Sequence, residues 1–390
     1  MSVASNGVVR TGGRDALTWY AYLLLGYFTY VVSIQGNILP FLRDELALSY
    51  RAVSLHTSAI ALGVVITSLF GERVIRAIGR RRMLAAVTLG SAAAAVLLTL
   101  APSIVVSIGS CFLFGAIGAF IPAMVNGIFS DLGGHRRDIA FAESNAVACM
   151  FATSAPVVTG LCVWLGWSWR IAVLAGAAAG VAIVITFARS PVPPSGEAHE
   201  FASTPLPLAF WCYWVLLGMG VAVEFSILLW APTYLEQVIG LDPTSAAIGA
   251  AAFFAGMLIG RVVGAGLFRV VPIRRLFFGA AATLFAGFVL YWATPEPALA
   301  IAGLFVVGVG TALLFPLALS FAIAAAGPAA ERAAARVMLG PGLAILFAPP
   351  LLGAIADSAG LRAALLMTPV FMGVGVVAFF LGEAARRRAQ

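Results

Sequence analysis

The sequence predicts an all-α membrane protein: twelve transmembrane helices in two parallel six-helix repeats around a central cavity. Three observations predict it. The 390 residues are 62% hydrophobic and only 10% charged, with a mean hydropathy of +1.03. Apolar runs of about 20 residues, the length a helix needs to cross the hydrocarbon core, recur from end to end. The chain also repeats itself at a fixed offset, and its arginines fall almost wholly on one side of the alternating loops. A soluble domain of this size would need a far more polar surface. A transmembrane β-barrel is excluded, because the runs are continuous and rich in Leu, Ala and Gly instead of alternating with period two.

The spans are read at residues 17–39, 53–75, 83–101, 104–129, 140–164, 169–189, 207–233, 245–268, 274–293, 297–323, 334–356 and 362–382. The first is too long for a signal-peptide core and lacks an obvious cleavage site, so it is expected to stay in the protein. Residues 190–206 hold four prolines and no apolar periodicity, the mark of a linker. This divides the chain into an N-terminal six-helix bundle (1–189), a cytoplasmic linker (190–206) and a C-terminal six-helix bundle (207–390).

Shifting the sequence by 193 residues superposes Gly71 on Gly264, Arg76 on Arg269, Arg81 on Arg274 and Arg82 on Arg275. The same shift brings Ala155-Pro156 onto Ala348-Pro349 and Gly160 onto Gly353, and one residue of slippage brings Pro122 onto Pro316. Each match is weak in a chain this rich in Gly and Arg; their common offset is not. Six spans return the chain to its starting side, so the repeats are parallel, with a cavity expected between them. With the N-terminus in the cytoplasm, eighteen arginines lie inside and four (Arg43, Arg51, Arg170 and Arg362) outside. That positive-inside bias places both termini and the linker in the cytoplasm, in a multi-pass protein of the cell (inner) membrane.

All 23 basic residues are Arg. Without a lysine there is no Walker-A nucleotide site and no Schiff-base chemistry. The net charge of +7 reads as topology signal in short loops, not as a nucleic-acid surface. Cys111, Cys149, Cys162 and Cys212 lie singly in apolar runs and read as small core residues. The three histidines are scattered, so neither a metal nor another cofactor is expected.

After the second span, Gly79, Arg80 and Arg81 match the second part of the signature G-x-x-x-D-R-x-G-R-[RK]. On these residues the chain resembles the major facilitator superfamily over essentially its whole length. Supporting matches are Gly166-Trp167-Ser168-Trp169-Arg170 before the sixth span, Phe315-Pro316-Leu317 with Ser320 in the tenth, and Gly353 through Asp357 with Gly360 at the end of the eleventh. Glu224 and Gly260-Arg261 are similar to the fucose-permease-like branch. The signature's acid falls on Arg76, and Glu72 stands one place after Gly71. The charge relay that the family acid serves would therefore have to be rebuilt around Glu72. The resemblance implies a secondary active transporter, symporter or antiporter, that moves a small solute by alternating access and acts as a monomer in the bilayer. It implies no enzyme activity. A polytopic membrane enzyme should cluster His, Asp or Ser near one membrane face, and no G-x-S-x-G or H-E-x-x-H occurs. A non-transporting sensor or scaffold on the same fold is the other alternative.

Glu224 is the one acid deep within a span. A charge there costs roughly 2.5–3.5 kcal/mol on insertion scales and generally faces a cavity or a partner. A carboxyl that can shed its charge in an apolar setting suits a reversible proton carrier, so protons are the expected coupling ion. Arg261 is the one arginine well inside a span. Glu224 and Arg261 should differ by roughly 10 Å in height at 1.5 Å per residue. Arg261 is therefore expected to bond backbone carbonyls near the cytoplasmic gate, with anion binding as the alternative. In the first span Tyr30 and Asn37, seven apart, share a face. Gln35 and Asn37 need polar partners, for which a cavity is one place and the interface the other. Trp230, beyond Glu224, joins this expected solute and proton pathway. Gly79, Arg80, Arg81, Glu72, Arg76 and Arg269 make up the expected cytoplasmic gate. Gly256, Gly260 and Gly264 put a stripe of small residues on the eighth span, as close helix packing requires.

Overall fold

A computed structural model describes residues 15–132, 134–192, 205–268, 270–329, 333 and 336–389. The helices are α1 (Ala16–Glu45), α2 (Tyr50–Ile78), α3 (Arg80–Thr99), α4 (Ile104–Gly118), α5 (Phe120–Leu132), α6 (Gly134–Trp164) and α7 (Arg170–Thr186). They continue as α8 (Leu208–Gln237), α9 (Pro243–Leu267), α10 (Ile273–Ala293), α11 (Pro297–Ala326), α12 (Leu339–Ala359), α13 (Leu361–Ala364) and α14 (Met367–Ala389). Among the described residues there is no strand. Eleven stretches of the described residues are long and apolar enough to cross a bilayer. α7 falls short at 17 residues, about 26 Å at the helical rise against a hydrocarbon core of about 30 Å.

Local chemistry sets the ends. Asp15 caps α1 by accepting the Thr18 amide (2.8 Å), and Ser49 caps α2 by accepting that of Ala52 (3.1 Å). Asp242, followed by Pro243 in the first turn, caps α9 by accepting the Ser245 amide (3.0 Å). These bonds to Ser245 hold the Asp242 carboxyl below its usual pKa. Gly79 joins α2 to α3 at φ +85°, a conformation that only glycine adopts without strain. The run from Ile104 to Phe129 crosses as one span, as the sequence predicts, with Ala119 between α4 and α5 keeping helical dihedrals and bonding its amide to the Gly115 carbonyl. Prolines 40, 156, 232, 316, 349 and 350 sit inside helices, where neighbouring helices can satisfy the freed carbonyls.

Buried apolar side chains form two clusters. One draws only on residues 20–183; the other draws on residues 209–379 together with Leu39, Val53 and Ala152. The α2–α4 seam has no room for a Cβ at Gly63, which lies on Phe112 and Ala116, or at Gly115, which lies on Ile60. The α9–α11 seam repeats both contacts 193 residues on: Gly256 lies on Phe305 and Val309, and Gly308 on Phe253. The next turn follows the same rule, with Gly71 against Phe120 and Gly264 against Leu313. Small residues at these positions let the helix backbones touch, so dispersion and packing hold seams that lipid would not drive together.

The bundle has a near face, where α1 begins and α2 meets α3, and a far face, where α1 ends and α2 begins. The halves meet at mid-span, where the Ser58 hydroxyl of α2 donates to the Leu346 carbonyl of α12 (2.8 Å), and closely at the far face. Gly36 of α1 lies on the Leu228 carbonyl of α8, Gly160 of α6 on Ile248 and Thr244 of α9, and Gly353 of α12 on Tyr50 and Arg51 of α2. The last two contacts are again related by the 193-residue offset.

Candidate transport site

Glu224 lies mid-way along α8 yet keeps partial exposure, while its neighbours Val221, Ala222 and Val223 and residues 226–230 are buried. A carboxyl at mid-span is costly unless it finds a partner or a polar cavity. The charge of Arg261, on α9, acts on Glu224. The two are nevertheless not within the 4.0 Å of an ion pair. Instead the Arg261 guanidinium donates to the Cys149 thiol of α6 at 2.7 Å. The backbone carbonyl expected as its partner is thus replaced by a thiol from the N-terminal half. Cys149 is buried, and both Arg261 and Glu224 act on it electrostatically. The Arg261–Cys149 bond thus lies within electrostatic range of Glu224, between α6, α8 and α9. Sequence reading missed Cys149, since a single cysteine in an apolar run looks like any small core residue.

The other expected pathway residues are not gathered with Glu224. Tyr30 donates to the Ala172 carbonyl of α7 (2.8 Å) and packs on Gly176, so it ties α1 to α7. Gln35 faces a void of about 20 Å³ within the first cluster, with Ile60, Ser110 and Cys111. Asn37 and Trp230 are 2% and 1% exposed and lie toward the far face. Trp230 meets the Tyr50 ring edge-on at 5.7 Å.

At the near face, Arg81 donates to the Ala188 carbonyl just beyond α7 (2.9 Å). Arg80 is buried with its guanidinium against Gly127 of α5. In the second half Arg274, the counterpart of Arg81, reaches Glu383 of α14 at 3.9 Å. Tyr213 also donates to Glu383 (2.6 Å). The side chains of Glu72 and Arg76, and Arg269 entirely, lie outside the described residues.

The far face carries a polar latch. Asp357, at the end of α12, accepts the first-turn amides of α2 from Tyr50 (2.7 Å) and Arg51 (2.9 Å). The Gln237 amide of α8 sits between the Tyr50 hydroxyl and the Arg43 guanidinium, which lies 4.6 Å over the Tyr50 ring. Nearby, Arg170 holds Glu45 through two bonds (2.9 and 2.7 Å) and donates to the Thr99 carbonyl (2.8 Å). Asp357 stood within a motif in the sequence, but its partners lie 306 and 307 positions away.

Among the described residues, eleven apolar helices of membrane-spanning length, one with an acid at mid-span and another with an arginine in its near-face half, define a helical membrane protein. The chain belongs to the Major Facilitator Superfamily, whose sequence model matches residues 21–331. It is similar to an uncharacterised MFS-type transporter of Yersinia pestis, 23% identical over 160 residues, a stretch that spans 40% of each chain. Its fold is similar to that of a bacterial homologue of the human lysosomal transporter Spinster in an inward-facing, occupied conformation (TM-score 0.77, 14% identity, covering 96% of this chain and 98% of that one). It is also similar to the nucleoside transporter NupG (TM-score 0.73, 13% identity, 95% and 99% covered) and to the human organic anion transporter MFSD10 (0.66, 15%, 94% and 98%).

Proposed function

We propose that the protein is a proton-coupled secondary transporter that moves a small solute by alternating access across the cell membrane. It works as a monomer of twelve spans in two parallel repeats, residues 1–189 and 207–390, joined by a cytoplasmic linker. The recurrence of the helix seams and of the Gly160 and Gly353 contacts at one offset supports the repeat. The arginine asymmetry supports a cytoplasmic near face. The close contacts between the halves at the far face, with the Asp357 bonds to α2, support a conformation closed to the outside.

The observation that carries the reading is the group of Glu224, Arg261 and Cys149. Arginine stays charged, so a proton on Glu224 changes the local charge from neutral to +1. Ionised Glu224 draws the guanidinium toward α8. Neutral Glu224 leaves it to Cys149 on the opposite half. Proton binding thereby biases a contact between the two halves, which is the coupling that alternating access needs. Gly79, Arg80 and Arg81 serve as near-face anchors that keep α2, α3, α5 and α7 moving as one body.

A thermal-shift screen of solutes in detergent supplies a substrate, and proteoliposome flux then tests the reading. Uptake that rises with an imposed pH gradient supports it. Solute binding with no flux under any gradient would assign the chain to the sensor class.

A further inference from the structure

Among the described residues, buried side-chain atoms without a hydrogen-bond partner occur at Asn37, Thr57, Trp230, Tyr291 and Thr368; two of these, Asn37 and Trp230, stand on the helices that meet across the halves at the far face. Asn37 Nδ2 reaches only the Ser33 carbonyl of its own helix, at 3.4 Å, and Asn37 Oδ1 has no partner. Trp230 Nε1 is likewise buried without an acceptor. The two residues stand on α1 and α8, the helices that touch across the halves at Gly36 and Leu228. They are 193 residues apart, so they occupy equivalent places in the two repeats. Leucine or phenylalanine would seal the same positions without stranding a donor or an acceptor.

We propose that Asn37 and Trp230 are a positioning pair that holds the far-face closure near the point of opening. Closing the halves strands one acceptor and one donor; parting α1 from α8 returns both to water. The Asp357 latch favours closure and the stranded pair opposes it. A gate built only of apolar contacts and the latch would shut more firmly and turn over more slowly. The proposal rests on the alternating-access reading, which the flux experiment decides separately.

Hydrogen exchange on the full-length protein in phosphatidylethanolamine/phosphatidylglycerol nanodiscs tests it. The amides of Tyr50 and Arg51 are bonded only while the far face is shut, so their exchange reports opening. Asn37→Leu removes the stranded acceptor, and Trp230→Phe removes the stranded donor with a smaller change of shape. Slowing of that exchange in either variant, by about tenfold, with peptides of α3 and α4 unchanged, is the expected result. Having two variants keeps the test informative should one of them fold poorly. Unchanged or faster exchange in both would overturn the proposal. So would equal slowing in α3 and α4, because that reports general stabilisation instead of gate bias.

Discussion

Replacing Asp357 with alanine should open the far face. Its carboxylate accepts two amides from the first turn of α2, at 2.7 and 2.9 Å, where the helix dipole also favours negative charge. Ser49 caps the same turn through the Ala52 amide and stays in place. Asp357 is exposed, so water takes over part of both bonds, and the loss is on the scale of a deleted helix cap, about 1–2 kcal/mol. That is about a 5–30-fold change in the open-to-closed ratio. A minor state of about 1% would rise to about 5–25%. Spin labels at Ala47→Cys and Ser358→Cys, both exposed sites, would read this by pulsed electron resonance as growth of a longer-distance population. Asp357→Asn keeps an acceptor but not the charge and should fall between. Unchanged distance distributions in a well-folded Asp357→Ala protein would refute the reasoning.

Other outcomes follow from the same contacts. Gly256→Ala drives a Cβ into the Phe305 carbonyl and should cost about 3 kcal/mol or more, read as a lower Tm. Gly266→Ala, with open space around it on the same helix, should be neutral or stabilising by about 0.5–1 kcal/mol. Arg170→Ala removes the Glu45 and Thr99 bonds; because the pair is partly exposed, the expected Tm loss corresponds to about 1–2 kcal/mol. Asp242→Ala should lower Tm by about 1 kcal/mol equivalent. The Asp242 pKa is depressed in the fold. The contribution of this cap is therefore present above the unfolded carboxylate value and lost as pH falls through the lower, folded one.

Much of this was written in periodic features of the chain. Span lengths follow from hydropathy because lipid tolerates few other structures. The 193-residue offset was legible in Gly71, Arg81 and Gly160, and the glycine stripe on α9 in its spacing. What stayed hidden depends on partners brought together by folding. Arg261 meets a thiol 112 positions away, a weak acceptor that no spacing rule marks. Tyr30 shares a helical face with Asn37, yet its hydroxyl is long enough to reach α7, whereas Asn37 ends within the α1 surface.

The central claim is that Glu224 carries the coupling proton. Once a solute is in hand, wild-type and Glu224→Gln proteins can be compared in proteoliposomes with an imposed pH gradient, alongside solute exchange without one. The account predicts that Glu224→Gln abolishes gradient-driven accumulation and retains exchange. Accumulation that remains at the wild-type level and still depends on pH would contradict it.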